Sequence, residues 1–121
     1  MFRIFLASSD VAFCDGLRDE FQREAEFQVC GQTQDVVDAV EMILHLDPDL
    51  VVLNEPSPPK SALNVAKLKS AAPGVTVFLV LESSDVAIER RALATGVDAV
   101  FEKNEEYSVL LLNARAICGL D

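Results

Sequence analysis

The chain has 121 residues, half of them apolar and a quarter charged; this is the length of one compact domain, with no room for a second core. Its formal net charge of −10 argues against a direct grip on nucleic acid, because that affinity comes from Lys and Arg displacing counterions. No apolar run approaches the roughly 18 residues of a membrane span, and a strand-like segment begins almost at Met1, so one cytoplasmic domain covering residues 1–121, without leader or membrane contact, is expected.

Short apolar runs alternate with segments of helical period. Phe2 to Ala7 reads as a first strand, and Ser8-Ser9-Asp10 as a polar break rich in helix-capping residues. Phe13, Leu17 and Phe21 then recur at i, i+4, i+8, the stripe of an amphipathic helix over Val11 to Ala25. Phe27 to Cys30 is a short second strand closed by Gly31, and Thr33 is placed to cap a second helix over Gln34 to His45, with Val36, Val37, Val40, Ile43 and Leu44 on it.

Asp47-Pro48-Asp49 interrupts that helix. Leu50 to Leu53 is apolar at every position, which suits a parallel strand covered on both faces. Asn54 to Pro59 reads as a stiff loop, followed by a third helix from about Ser61 to Ala72 that Pro73-Gly74 stops. Val75 to Leu81 is the fourth strand. Ser83-Ser84-Asp85 caps a fourth helix ending at Thr95-Gly96, where glycine supplies a left-handed residue. Val97 to Phe101 is a fifth strand, and Glu106 to Cys118 a last helix.

Five strand–helix units predict an α/β, doubly wound parallel sheet of flavodoxin-like type, with strand order 2-1-3-4-5 and right-handed crossovers. In such sheets the functional crevice opens at the carboxyl ends of the strands beside the switch point. Those ends are Ser8-Ser9-Asp10, Asn54-Glu55 and Leu81-Glu82. Cys14, Cys30 and Cys118 are odd in number and lack C-x-x-C spacing, so small buried thiols are expected instead of a disulfide or metal framework. His45 reads as a helix-end residue, and no cofactor, metal or catalytic residue is assigned. No glycine-rich phosphate loop follows any strand.

Three segments carry a resemblance. Asp47-Pro48-Asp49-Leu50-Val51-Val52-Leu53 leads to Asn54, Pro58 lies four residues further on, and Ala94-Thr95-Gly96-Val97-Asp98-Ala99 leads to Lys103. At this spacing the whole length resembles the CheY-like receiver domain of response regulators. The resemblance implies an acidic pair after the first strand, an Asp phosphoacceptor ending the third, a hydroxyl ending the fourth and a lysine after the fifth. Here those places hold Ser8 and Ser9, Asn54, Leu81 and Lys103, while the switch aromatic is Val100. An amide has no anionic oxygen to attack phosphorus, and neutral hydroxyls are poor hosts for Mg²⁺.

The resemblance therefore implies a non-enzymatic pseudo-receiver: a regulatory and protein–protein interaction module in signal transduction, or in a pilus-assembly protein of the TadZ/CpaE type. A phosphoacceptor working with unusual ligands is the alternative. Lys103 is expected to bond Asn54 or Glu82 and lock the pocket, or else to extend into solvent. Receivers dimerise and meet partners through the fourth helix, fifth strand and fifth helix, which here carry Glu89, Arg90, Arg91, Asp98, Glu102 and Glu106. Of the consecutive Leu110, Leu111 and Leu112, at least one is expected outside the core, with Leu111 assigned to that interface.

Overall fold

In the computed structural model the described residues are 1–35, 39–55 and 58–119, without the side chains of 55–64. The elements are β1 (Phe2–Ala7), α1 (Val11–Gln22), β2 (Phe27–Thr33), α2 (Ala39–Leu46), β3 (Leu50–Glu55), α3 (Pro58–Ala71), β4 (Thr76–Leu81), α4 (Val86–Ala94), β5 (Ala99–Glu102) and α5 (Tyr107–Cys118). All strand pairs are parallel, in the order β2-β1-β3-β4-β5. This is the doubly wound topology that the alternation predicts. Among the described residues no helix is long and apolar enough to cross a membrane.

The two faces of the sheet divide the core. Ile4, Leu6, Val52, Phe78 and Val80 pack with Phe13, Leu17 and Phe21 of α1 and Leu110 of α5. Phe5, Ala7, Val51, Leu53, Val77, Leu79 and Leu81 face the other way, against Ile43 of α2, Val65 and Leu68 of α3 and Ala92 of α4. Successive strand residues point to opposite faces. With helices over both, neither set can be polar, and the strands read as unbroken apolar runs.

Several boundaries differ from the sequence reading: α1 stops at Gln22 instead of Ala25, β5 spans Ala99–Glu102 instead of Val97 to Phe101, and β2, α2 and α3 also shift. β2 runs on to Thr33 instead of stopping at Gly31. Its register against β1 shifts between Ile4 and Phe5, where Ile4 faces Val29 and Phe5 faces Gly31, so Cys30 is the extra residue of a bulge. Gly31 is needed there for space: a Cβ would lie 2.8 Å from Leu46 Cδ1 and 3.1 Å from Phe5 Cε1. Gln34 and Asp35 are not helical, and Val36 and Val37 lie outside the described residues. α3 begins at Pro58, earlier than expected, because the first turn of a helix needs no N–H partner and tolerates proline. Gly96, with φ of 103°, follows Thr95 at the end of α4 as its sequence suggests.

Candidate functional site

The crevice is built where β1, β3 and β4 end. Ser8 directly follows β1 and is fully buried; Asn54, next to last in β3, is 7% exposed. The Ser8 hydroxyl donates to Asn54 Oδ1 at 2.8 Å, and Asn54 Nδ2 donates to the Val80 carbonyl at 2.9 Å. Ser8 Oγ also accepts the Asp10 N–H at 3.0 Å. One chain of hydrogen bonds thus stitches the three central strands at their carboxyl ends. Among the described residues no buried side-chain nitrogen or oxygen lacks a partner, as a polar group in an apolar interior requires. Asn54 therefore has both polar atoms committed to the framework.

Outside this stitch lies an ionic cluster. Asp10 caps α1 by accepting the Phe13 N–H at 3.1 Å, and its other oxygen is 2.6 Å from Lys103 Nζ. Lys103 follows β5, held by its N–H to the Leu81 carbonyl at 2.8 Å. Its ammonium also reaches Glu82 Oε1 at 3.2 Å and stands 5.8 Å from the centre of the Phe13 ring. The hydrogen bond from Lys103, helped by the Phe13 N–H, holds the Asp10 carboxyl below its ordinary range. In return Asp10, and after it Glu82, pushes the Lys103 ammonium above its own. Both groups stay charged across the whole neutral range.

The expected contact between Lys103 and Glu82 is present, whereas Asn54 is engaged by Ser8 and Val80. Asp10, which the sequence reading gives as a helix cap at the crevice end and not as a partner of Lys103, is the nearer partner. A signal for it existed: Asp10 and Lys103 follow strands that end on the same edge of the sheet, and a half-buried ammonium needs a counterion. Ser9 is exposed and Val100 half-buried. Leu81 points away from the crevice into the core beneath α2, α3 and α4 and is fully buried. Its hydrocarbon offers no hydrogen bond.

A divalent ion of the Mg²⁺ type requires several anionic or carbonyl oxygens in near-octahedral array. Among the described residues the donor set does not fit one. Ser8 and Asn54 are neutral and already bonded, and the Asp10 carboxylate is taken by an ammonium. Among the described residues no three His, Cys, Asp or Glu side chains converge as metal ligands. His45 is exposed at the end of α2. Of the thiols only Cys14 is buried, while Cys30 and Cys118 are half-buried because their elements lie at the sheet edge and chain end. Burial pushes the Cys14 and Cys30 thiols up, away from reactivity.

The residues assigned to the α4–β5–α5 surface divide. Glu89, Arg90 and Arg91 are exposed on α4, and none joins the ion pairs found among the described residues. Glu102 accepts the Ser84 N–H at 3.0 Å, and Glu106 is exposed at the start of α5. Asp98 belongs elsewhere. It precedes β5, at the amino end of the sheet, where one oxygen takes Lys69 Nζ at 2.7 Å and the Val77 N–H at 2.8 Å. Leu111 is 9% exposed and packs in the core with Leu110; the leucine left outside is Leu112, at 68%. At 100° per residue, Leu112 falls on the far side of α5 from Leu110 and Ala114.

No family model matches the chain, and no curated protein matches its sequence. Solved structures do. The signal receiver domain of the response regulator NarL from Mycobacterium tuberculosis is 21% identical over 93% of this chain and 94% of that one, with a TM-score of 0.82. The response regulator domain of Thermotoga maritima CheB is 20% identical over 100% and 98%, with a TM-score of 0.85. A pilus assembly-related protein from Burkholderia pseudomallei is 20% identical over 99% and 91%, with a TM-score of 0.84. The fold is that of the receiver domain.

Proposed function

We propose that this chain, a receiver fold over one domain, is a pseudo-receiver: a regulatory and protein-interaction module that works without accepting phosphate and has no catalysis of its own. The observation that carries the reading is the state of Asn54. Its amide occupies the acceptor place with both polar atoms already hydrogen-bonded, to Ser8 and to Val80. An amide oxygen lacks the charge for in-line attack on phosphorus, and phosphoryl transfer depends on positioned cations and a competent nucleophile. The lysine that would meet the phosphoryl group is instead closed onto Asp10 and Glu82, which serve it as internal anions. The crevice is thus held in one ion-paired arrangement, and information passes through what docks on the surface.

Incubation with a small phosphodonor and Mg²⁺, followed by intact mass, tests this. An unchanged mass is expected. A stoichiometric phosphate adduct would overturn the reading in favour of a phosphoacceptor with unusual ligands. Two settings suit such a module: an atypical response regulator, and pilus assembly of the TadZ/CpaE type. The likeness to the Burkholderia pseudomallei protein is the observation that keeps the second in view. Partner docking through the face of α4, β5 and α5 fits the exposed Glu89, Arg90 and Arg91, and an acidic chain favours protein partners over nucleic acid.

A further inference from the structure

Between α4 and β5 runs a groove of about 290 Å³, whose lining includes Val86 and Val100 together with the carboxylates of Asp85, Glu89, Glu102 and Glu105. Val86 is 68% exposed at the start of α4, and Val100 is half-buried in β5. The groove therefore combines apolar walls with acid on several sides. None of its four carboxylates joins the ion pairs found among the described residues. Several are bonded only to backbone: Asp85 accepts the Ile88 N–H at 2.9 Å, Glu102 the Ser84 N–H, and Glu105 the Glu102 N–H at 2.9 Å.

The contrast with the crevice is informative. There the acids at the rim are answered by Lys103; here like charges face a concave, partly apolar surface with no cation among them. Low-dielectric walls lined by one sign of charge concentrate the field and attract the opposite sign. The neighbouring Arg90 and Arg91 are on α4 but do not line the groove.

We infer that the α4–β5 groove docks a partner segment that carries a lysine or arginine beside an apolar side chain, the aliphatic part seated against Val86 and Val100 and the cation among the carboxylates. The inference rests on the partner-docking reading above and gives it a chemistry. Long cationic side chains suit such a place because their stems bury while their heads stay among charges.

The test is titration of the full chain with a short amphipathic helical peptide of Leu, Ala and Lys, followed by amide chemical shifts. A peptide with Glu in place of Lys is the control. Expected are shifts centred on Val86, Glu89, Val100 and Glu102, weakened by salt. Affinity should fall about tenfold in the double variant Glu89→Gln/Glu105→Gln, which keeps the acceptor oxygen that Glu105 supplies. Val100→Phe, which fills the groove and leaves its charge intact, should lower affinity by a similar factor. Absence of binding, equal binding of the Glu peptide, shifts centred elsewhere, or affinity unchanged in both variants would overturn the proposal. So would self-association through the same amides without peptide, since the occupant would then be a second copy. A phosphate adduct in the mass experiment sinks the pseudo-receiver reading and leaves the groove result standing; failure of the peptide to bind does the reverse.

Discussion

The two ends of the sheet carry nearly the same ion pair. At the carboxyl end Lys103 meets Asp10 at 2.6 Å, with side chains 22% and 39% exposed; at the amino end Lys69 meets Asp98 at 2.7 Å, with 23% and 42%. What differs is the company. Asp98 also takes the Val77 N–H, and Lys69 also donates to the Val75 carbonyl at 2.7 Å, so the lower pair is woven into the start of β4. The upper pair ties a helix cap to a loop, with a second carboxylate, Glu82, alongside. The same pair of side chain types thus serves as framework in one place and as a link between a helix cap and a loop in the other. Distance alone does not tell them apart; the backbone groups they satisfy do.

Substitutions break this comparison in a definite order. The largest effect is expected at the stitch beneath the upper pair. Asn54→Asp removes the donor to Val80, puts a carboxylate against that carbonyl and buries a charge; a loss of about 2–4 kcal/mol is expected from urea unfolding at neutral pH. Asp98→Ala leaves the Val77 N–H without its side-chain acceptor and the Lys69 ammonium with the Val75 carbonyl but no counterion, and should cost about 1–2 kcal/mol, read as a lower urea midpoint at constant slope. Lys103→Met should lower the midpoint less than Asp98→Ala does, because no backbone group loses its partner when the ammonium goes. If Lys103→Met proves the more damaging, the assignment of framework to the lower pair is wrong.

The smallest effect is in pH. Asp10 is held below its ordinary value, so its contribution is present above about pH 4 and is lost as acid protonates it in the folded state. Lys103 is held above its own, so its contribution is present below about pH 10.4 and is lost as alkali removes the proton in the folded state. The Phe13 amide, which Asp10 caps, should therefore shift only at the two extremes. A transition of that amide between pH 5 and 9 would contradict the assignment.

Most of the architecture was legible because two-faced burial writes itself as apolar runs and helical stripes, as in Leu50 to Leu53 and in Phe13, Leu17 and Phe21. Gly31 misled: glycine commonly ends a strand, and only the approach of Leu46 and Phe5 shows why it sits inside one. The prolines at the start of α3 look like a loop in sequence for the same reason that they suit a first helical turn. At the site, the composition of the crevice could be read residue by residue. Its wiring could not. Whether Lys103 would choose Asn54, Glu82 or Asp10 depends on which partner is already occupied, and the Ser8 hydroxyl that occupies Asn54 is a through-space fact. Asp98 lies beside β5 in sequence, yet a residue before a strand and one after it lie at opposite ends of the sheet.

The hydrogen-bonded bridge from Ser8 through Asn54 to Val80 also bears on how such a crevice can change over generations. A carboxylate placed at Asn54 alone takes the side-chain donor from the Val80 carbonyl, and one placed at Ser8 alone removes the hydroxyl that Asn54 leans on. Each single change is a loss to the partner that it leaves behind. The bridge therefore makes Ser8 and Asn54 change together or not at all, and tolerated variation is expected to collect on the outer surfaces first.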